Sequence, residues 1–254
     1  MLGPLAEKFG HLRGADVEPT AKSIERFYKL YGKPVAFLFR TPLNEILFRT
    51  HLDVVNARFE PNLIYSLGFF SLYDVFFQGL DEVTRTELFV ALVTALKFDP
   101  SQVKADSDSV LNWAAGKTEA DVVAAFQGQD SSAVGSALAR IHNPESFRYT
   151  RNLGAGLIKL MQLVGVEPNS ANAKRWSDAA GFIATESEHT GIVMSKFETD
   201  VGTFLNSVEK MQQVQPLQTL VRLKECSWHL VVHVMSLVHP KGEDICVQGW
   251  DVCV

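Results

Sequence analysis

The sequence predicts an all-α protein: a compact multi-helix body, a C-terminal helical arm and an atypical apolar tail. Three observations carry this. Apolar residues recur at spacings of three and four through most of the chain. Helix-starting and helix-stopping residues punctuate those runs. Strand-like alternation is nearly absent, with one β-friendly segment, Ile245 to Val254, at the end.

The elements follow in order. Thr20 is placed to cap a helix whose face carries Ile24, Phe27, Tyr28 and Tyr31, and Gly32 with Pro34 stops it. Thr41-Pro42 starts the next, with Leu43, Ile46, Leu47, Thr50 and Val54 on its inner stripe. A helix at about 61–78 follows, its stripe made by Ile64, Leu67, Leu72, Val75 and Phe76, with Gly79 placed to end it. Thr84 and Glu87 have capping-box spacing ahead of Leu88, Ala91, Leu92, Ala95 and Leu96. Asp99-Pro100 begins a helix reaching Trp113. Thr118 to Phe126 and Ser131 to Ile141 read as short helices split by Gly128. Pro144 to Val164 reads as one long apolar helix ended by Gly165, and Asn169 to about Ala184 as another.

From Phe197 the apolar positions Val201, Phe204, Val208 and Met211 step by four, three, four and three, a coiled-coil spacing over about two and a half heptads. Pro216 breaks it. The expected organisation is an N-terminal extension (1–19), a helical body (20–190), a helical arm (191–215) and a Cys/His-containing tail (216–254). No internal repeat of fixed period is visible.

The bulk numbers exclude several classes. A chain of 254 residues with 46% apolar content buries a sizeable core as one large domain, or one with an appendage. The net charge of −5, with no dense basic patch, argues against nucleic acid. No uninterrupted apolar run approaches the roughly 20 residues of a membrane span. Cys226, Cys246 and Cys253 all fall near the end, an odd set that argues against a disulfide framework and for a reducing compartment. The N-terminus lacks the apolar core of a secretory signal and is too short, and too poor in Ser and Arg, for an organelle transit peptide.

Candidate chemistry is sparse. Cys226, His229 and His233 share a helical face, and His239 or Cys246 offers a fourth zinc ligand; an amphipathic helix with polar groups at its stripe edge explains the same residues without metal. His51 lies on an apolar stripe, where a hydrogen-bonded core histidine is preferred over a catalytic base. Asp74 and Asp81 flank Gly79, and Asp81 is better read as a helix cap or a loop charge than as half of an acid/base pair. Gly154-Ala155-Gly156 follows no strand, so it reads as small residues admitting a neighbouring helix rather than as a phosphate loop. Arg148, Tyr149 and Arg151 read either as a docking surface, with both cations pointing one way from a helix, or as a solvated face with Tyr149 packed inward. In the tail, Trp228, Val232 and Met235 lie in an apolar helix that suits a partner better than a membrane surface, because its polar face holds few cations.

The segment Phe59-Glu60-Pro61-Asn62-Leu63-Ile64-Tyr65-Ser66-Leu67-Gly68, running into Leu72-Tyr73-Asp74 and Gln78-Gly79, resembles the central signature of the Thylakoid Formation protein family. Other blocks are similar in order: Ala15 to Thr20, Phe27-Tyr28, Lys33-Pro34-Val35, His51-Leu52, Phe89 to Leu92, Asp99-Pro100, Ala105-Asp106, Trp113-Ala114 and Phe147-Arg148-Tyr149-Thr150-Arg151 with Gly156-Leu157. Lys196 to Met211 resembles the start of the family's long C-terminal helix. Two departures stand out: Phe59-Glu60-Pro61 replaces the usual Tyr-Asp-Pro, and after Gln213 an apolar tail replaces a Lys/Glu-rich helix.

The resemblance implies a non-enzymatic adaptor or assembly factor for photosystem II biogenesis and repair. It implies a place on the stromal face of chloroplast thylakoids, peripheral to the membrane, and the FtsH protease and photosystem subunits as partners. It adds no known catalytic role; no cofactor is expected, and no metal, because the Cys226, His229, His233 trio lacks a clear fourth ligand. Partner contacts are expected at Arg148, Tyr149, Arg151, Trp228, Val232 and Met235. The alternatives are a stoichiometric accessory subunit of a photosystem or light-harvesting complex, motivated by the tail, and an enzyme of unknown type, which needs a deep pocket joining His51 to carboxylates.

Overall fold

A computed structural model describes residues 10, 14, 16–141, 148–182, 184–186, 193–203 and 206. The chain divides into two units, Met1–Lys210 and Met211–Val254, and all the described residues belong to the first.

Nine named helices run α1 (Thr20–Tyr31), α2 (Phe37–Val54), α3 (Leu63–Phe77), α4 (Glu82–Ala95), α5 (Pro100–Ala114), α6 (Glu119–Phe126), α7 (Ala133–Ile141), α8 (Arg151–Leu163) and α9 (Ser170–Ala180). A short antiparallel pair, β1 (Ala184–Glu186) with β2 (Val193–Ser195), follows in the register Ala184 to Ser195. Helical backbone resumes at 196–203. The class is all-α, as the periodicity predicts, and the three-residue strands are the departure. They fall where Asn169 to about Ala184 was expected to end as helix, and Gly181, at φ 69°, closes α9 first. The segment 245–254, where a strand was expected, lies outside the described residues.

Side chains at the helix starts explain most boundaries. Asn62 Oδ1 accepts from the Tyr65 backbone N–H at 2.9 Å, fixing the start of α3. Asp81 does the same for Thr84 at 2.9 Å, so α4 begins at Glu82 with Thr84 inside the first turn and no Thr84–Glu87 box. Asp99 accepts from Ser101, and Pro100 occupies the first position of α5, where its missing N–H costs nothing. Thr118 and Asp121 close a reciprocal capping box on α6. The starts of α1 and α2 also differ from expectation. Pro19, not Thr20, precedes the first turn of α1, and no side chain caps it. Helix α2 starts at Phe37, ahead of Pro42, which costs the helix one internal hydrogen bond.

Two hydrophobic clusters fill the body, and α3 belongs to both. Its first half sends Ile64 and Leu67 into a cluster with Val110, Val122, Phe126, Leu138, Leu157 and Trp176. Its second half sends Phe69, Tyr73 and Phe77 into a cluster with Phe27, Leu43, Leu47, Leu88 and Leu92. A helix apolar on every side is a buried one, and α3 is central. Phe197 and Val201, the first apolar positions of the predicted arm, are buried in the first cluster, so packing runs past residue 190. Val208 and Met211 lie outside the described residues.

The buried line of α3 after Gly68 is Phe69, Tyr73 and Phe77, whereas Leu72, Val75 and Phe76 are half-buried. The expected stripe through Val75 and Phe76 is therefore corrected by one residue. A helix with apolar residues all round carries no stripe to read. The close crossing with α8 sets its rotation instead. A Cβ on Gly68 would sit 1.7 Å from the Asn152 carbonyl oxygen, and one on Gly156 would sit 2.0 Å from that of Ile64. The Gly154–Gly156 stretch thus serves close helix approach.

Candidate functional site

The first turn of α8 is where the predicted site residues and the buried polar groups meet. Thr150 caps it, its Oγ1 accepting from the Leu153 N–H at 3.2 Å. Helix α8 therefore starts at Arg151, and 148–150 precede it without helical structure, which corrects the expected start at Pro144. Arg148 and Arg151 consequently do not share a helix face. Arg148 lines a cleft with Arg58 and Arg140, and Arg151 lines a different one with Glu45, Arg49, Phe76 and Asp200.

Tyr149 turns inward. Its hydroxyl donates to Asp200 Oδ2 at 3.0 Å, and its ring meets Phe182 edge-on with centroids 5.5 Å apart. Arg151 Nε reaches Asp200 Oδ1 at 3.3 Å. This clasp joins the segment before α8 to the helical residues at 196–203. Burial pushes the Asp200 carboxyl above its usual range against the opposing pull of Tyr149 and Arg151. Burial, reinforced by Asp200, pushes the Tyr149 hydroxyl well up. Gly154 gives that hydroxyl its room, since a Cβ there would lie 2.0 Å from it.

Behind the clasp lies a buried hydrogen-bond hub. Asn152 Nδ2 donates to Tyr65 Oη at 3.0 Å and to Thr50 Oγ1 at 3.1 Å, with Asp53 Oδ2 at 3.5 Å. The Tyr65 hydroxyl donates to the same Asp53 oxygen at 3.4 Å. Burial raises Asp53 to about 6, while Tyr65, Arg148 and Arg49 pull it down. Burial first, then the Asp53 charge, keeps the Tyr65 hydroxyl well above its ordinary range. Three helices, α2, α3 and α8, are tied here by groups whose partners lie far apart in sequence.

A second polar cluster sits at the N-terminal side of the body. Glu18 accepts from Arg26 and Lys97, each at 2.6 Å, and these two cations hold it down at about 2. His51 is buried, with Nε2 donating to the Glu18 carbonyl and Nδ1 accepting from the Ser23 hydroxyl, each at 2.9 Å. Both ring nitrogens are committed, which is the core-histidine arrangement. Asp74 pairs with Arg85 at 3.2 Å, and Asp81 caps α4, so the two carboxylates serve different structural ends.

The arrangement holds helices and presents charged clefts. Among the described residues, no helix is long and apolar enough to cross a membrane, and no group of three His, Cys, Asp or Glu is placed to hold a metal. Trp228, Val232 and Met235, and the Cys226, His229, His233 trio, lie outside the described residues. Sequence reasoning missed Asp53, Tyr65, Asn152, Asp200, Arg58 and Arg140. The available signal was a polar Asn152 followed by apolar Leu153 and Leu157 on a helix that must bury its first turn.

A family model described as Thylakoid formation protein matches residues 20–225. The chain is 28% identical over 152 residues to Protein THYLAKOID FORMATION 1, chloroplastic, of Arabidopsis thaliana, covering 59% of this chain and 51% of that protein. It is 27% identical over 210 residues to Protein Thf1 of Crocosphaera subtropica, covering 78% of this chain and 81% of the relative. The chain thus spans about half the length of the plant relatives it matches and most of the cyanobacterial one. The solved structure of Psb29 superposes with a TM-score of 0.68 at 20% identity, covering 84% of this chain and 99% of that one, and shares the fold. With the family model spanning 20–225, through both hydrophobic clusters and the clasp at Asp200, the chain belongs to the Thylakoid formation protein family.

Proposed function

We propose that this protein is a non-enzymatic adaptor for photosystem II biogenesis and repair, working by protein–protein binding at the stromal face of chloroplast thylakoids, with the thylakoid FtsH protease as a partner. The observation that carries the reading is family membership across 20–225. The local chemistry is compatible with it: the polar groups of the body hold helices together, and charged clefts, one lined by Arg148 and one by Arg151, lie beside them. The tail is the second contact element: the spacing of Trp228, Val232 and Met235 predicts an apolar helical face in a segment too small to bury it by itself.

The test is affinity purification from thylakoids with the full chain and with a chain lacking residues 217–254. The expected result is substoichiometric recovery of FtsH and photosystem II subunits by the full chain, weakened by the deletion. Recovery at a fixed one-to-one ratio would make the protein an accessory subunit instead. Recovery of neither complex would remove the adaptor reading.

A further inference from the structure

The cleft lined by Arg148 gathers three arginines, Arg58, Arg140 and Arg148, in one lining. Arg58 reaches it from the turn after α2, Arg140 from the last turn of α7, and Arg148 from the segment before α8. Glu60 is the one carboxylate of the lining. It pairs with Arg140 at 3.1 Å, and both side chains are largely exposed. Arg58 and Arg148 have no side-chain hydrogen-bond or ion-pair partner among the described residues. Three arginines and one carboxylate line the cleft, so its lining is net positive in a chain whose net charge is −5. Asp53 feels the Arg148 charge but lies behind it in the buried hub and does not line the cleft.

We propose that this cleft binds a phosphate monoester presented on a partner protein, as a phosphorylated Ser or Thr side chain. Such a group carries about −1.5 to −2 charges at neutral pH with three strong acceptor oxygens, which complements the net positive lining. Guanidinium forks grip phosphate oxygens in bidentate fashion, and the arginines of the lining come from three separate elements, with Arg140 already paired to Glu60. The cleft volume of about 240 Å³ is below the roughly 300–1,000 Å³ of clefts that enclose a whole small molecule, and suits one anionic group on a longer chain. Asn62, whose Oδ1 is committed to α3, and Ser136 add neutral polar groups to the wall. None of the exposed large apolar side chains of the described residues, such as Phe37, Phe48, Val83 and Val90, lines the cleft, so it lacks the apolar collar with which a bilayer-bound site inserts.

The proposal names the partner chemistry for the protein-binding reading and rests on it. Its test uses purified full chain titrated with a blocked Gly–phosphoserine–Gly peptide, with Gly–Ser–Gly, inorganic phosphate, and phosphatidylcholine vesicles containing phosphatidylglycerol as the other arms. We expect saturable one-to-one binding of the phosphopeptide, weakened by added salt and at least tenfold weaker in Arg58→Gln and in Arg148→Gln. Arg175→Gln, which removes a partner of Glu119, should leave it unchanged. Unaltered far-UV circular dichroism shows that each variant folds. The absence of saturable binding, equal binding of Gly–Ser–Gly, or unchanged affinity in both cleft variants overturns the proposal. Inorganic phosphate binding as tightly as the phosphopeptide overturns the peptide assignment, and tighter binding to the vesicles makes the site a membrane headgroup site. These readouts use isolated protein, so their failure leaves the adaptor reading standing, and failed recovery from thylakoids leaves the titration result standing.

Discussion

Gly68 and Gly156 face each other at the α3–α8 crossing, where backbone meets backbone and no flexible side chain stands between them. A methyl group at either position forces the helices apart, and α3 is anchored in both clusters, so it has nowhere to relax. Gly68→Ala should cost about 3 kcal/mol, at the upper end of overpacking, despite the better helix propensity of Ala. Gly202→Ala, with nothing within 4 Å of the added carbon, should be neutral or gain a few tenths of a kcal/mol. Urea unfolding reads the pair, and a Gly68 variant as stable as Gly202→Ala would remove the close crossing. Asp53 makes a pH-dependent contribution of opposite sign to Glu18. Its folded value of about 6 lies above the ordinary 3.8, so its stabilising effect is complete below about 4 and is lost as pH rises through about 6. Glu18, held near 2 against an ordinary 4.5, contributes above about 4.5 and loses its contribution as pH falls toward 2. Asp53→Asn should therefore flatten the decline between pH 4 and 6. It should also raise stability at pH 7 by about 1–2 kcal/mol, a figure reduced for the partial exposure of the carboxyl. Denaturant melts at pH 4, 5, 6 and 7 check this, and a variant with the same slope as the parent would sink it.

At the scale of elements, α3 shows how packing chooses among apolar residues that the sequence leaves equivalent. Phe77 is fully buried against Phe39 and Tyr73, with ring centroids 5.8 Å and 4.8 Å away, whereas Phe76 is half-buried at the rim of the cleft shared with Arg151 and Ile158. Phe77→Ala should cost about 3–5 kcal/mol and Phe76→Ala about 1–2 kcal/mol, and equilibrium denaturation that ranks them the other way would overturn the rotation assigned to α3. The helices of the described body, the starts at Asp99 and Thr118, and the core placement of His51 were legible because each depends on neighbours in sequence, whereas the start of α4 was read at Thr84 and lies at Asp81. The start of α8 was not legible. Apolar residues continue across the junction, and the cap at Thr150 competes with an equally plausible start at Pro144. The hub of Thr50, Asp53, Tyr65 and Asn152 was invisible for a different reason: its partners are separated by up to 102 positions, and no periodicity records such a pairing. Tyr149 could be read as inward or outward, and it turns inward, where its hydroxyl donates to the half-buried Asp200. Arg58 and Arg140 carried no signal at all, since a lone arginine in a turn or on an amphipathic helix is ordinary until the fold brings it beside others.

For the body as a whole, the consequence of a helix shared by two cores is cooperativity. The cluster around Leu157 and Trp176 and the cluster around Phe27 and Leu92 are separate groups of side chains, and α3 supplies Ile64 and Leu67 to one and Phe69, Tyr73 and Phe77 to the other. Losing α3 from either cluster removes its stabilisation of both, so the two should melt as one. The tryptophans make this measurable. Trp176 is buried in the first cluster and Trp113 packs against it, so in a Trp228→Phe, Trp250→Phe background the fluorescence reports on that cluster alone. Phe77 lies in the second cluster. If α3 couples the two, Phe77→Ala should move the fluorescence midpoint in urea by the same amount as the circular dichroism midpoint, both reflecting a loss of about 3–5 kcal/mol. A fluorescence transition that stays where it is in the parent, while helicity is lost in an earlier step, would mean that the two clusters fold independently. In that event α3 would be a bridge between subdomains, and the close glycine crossing with α8 would stabilise only the first of them.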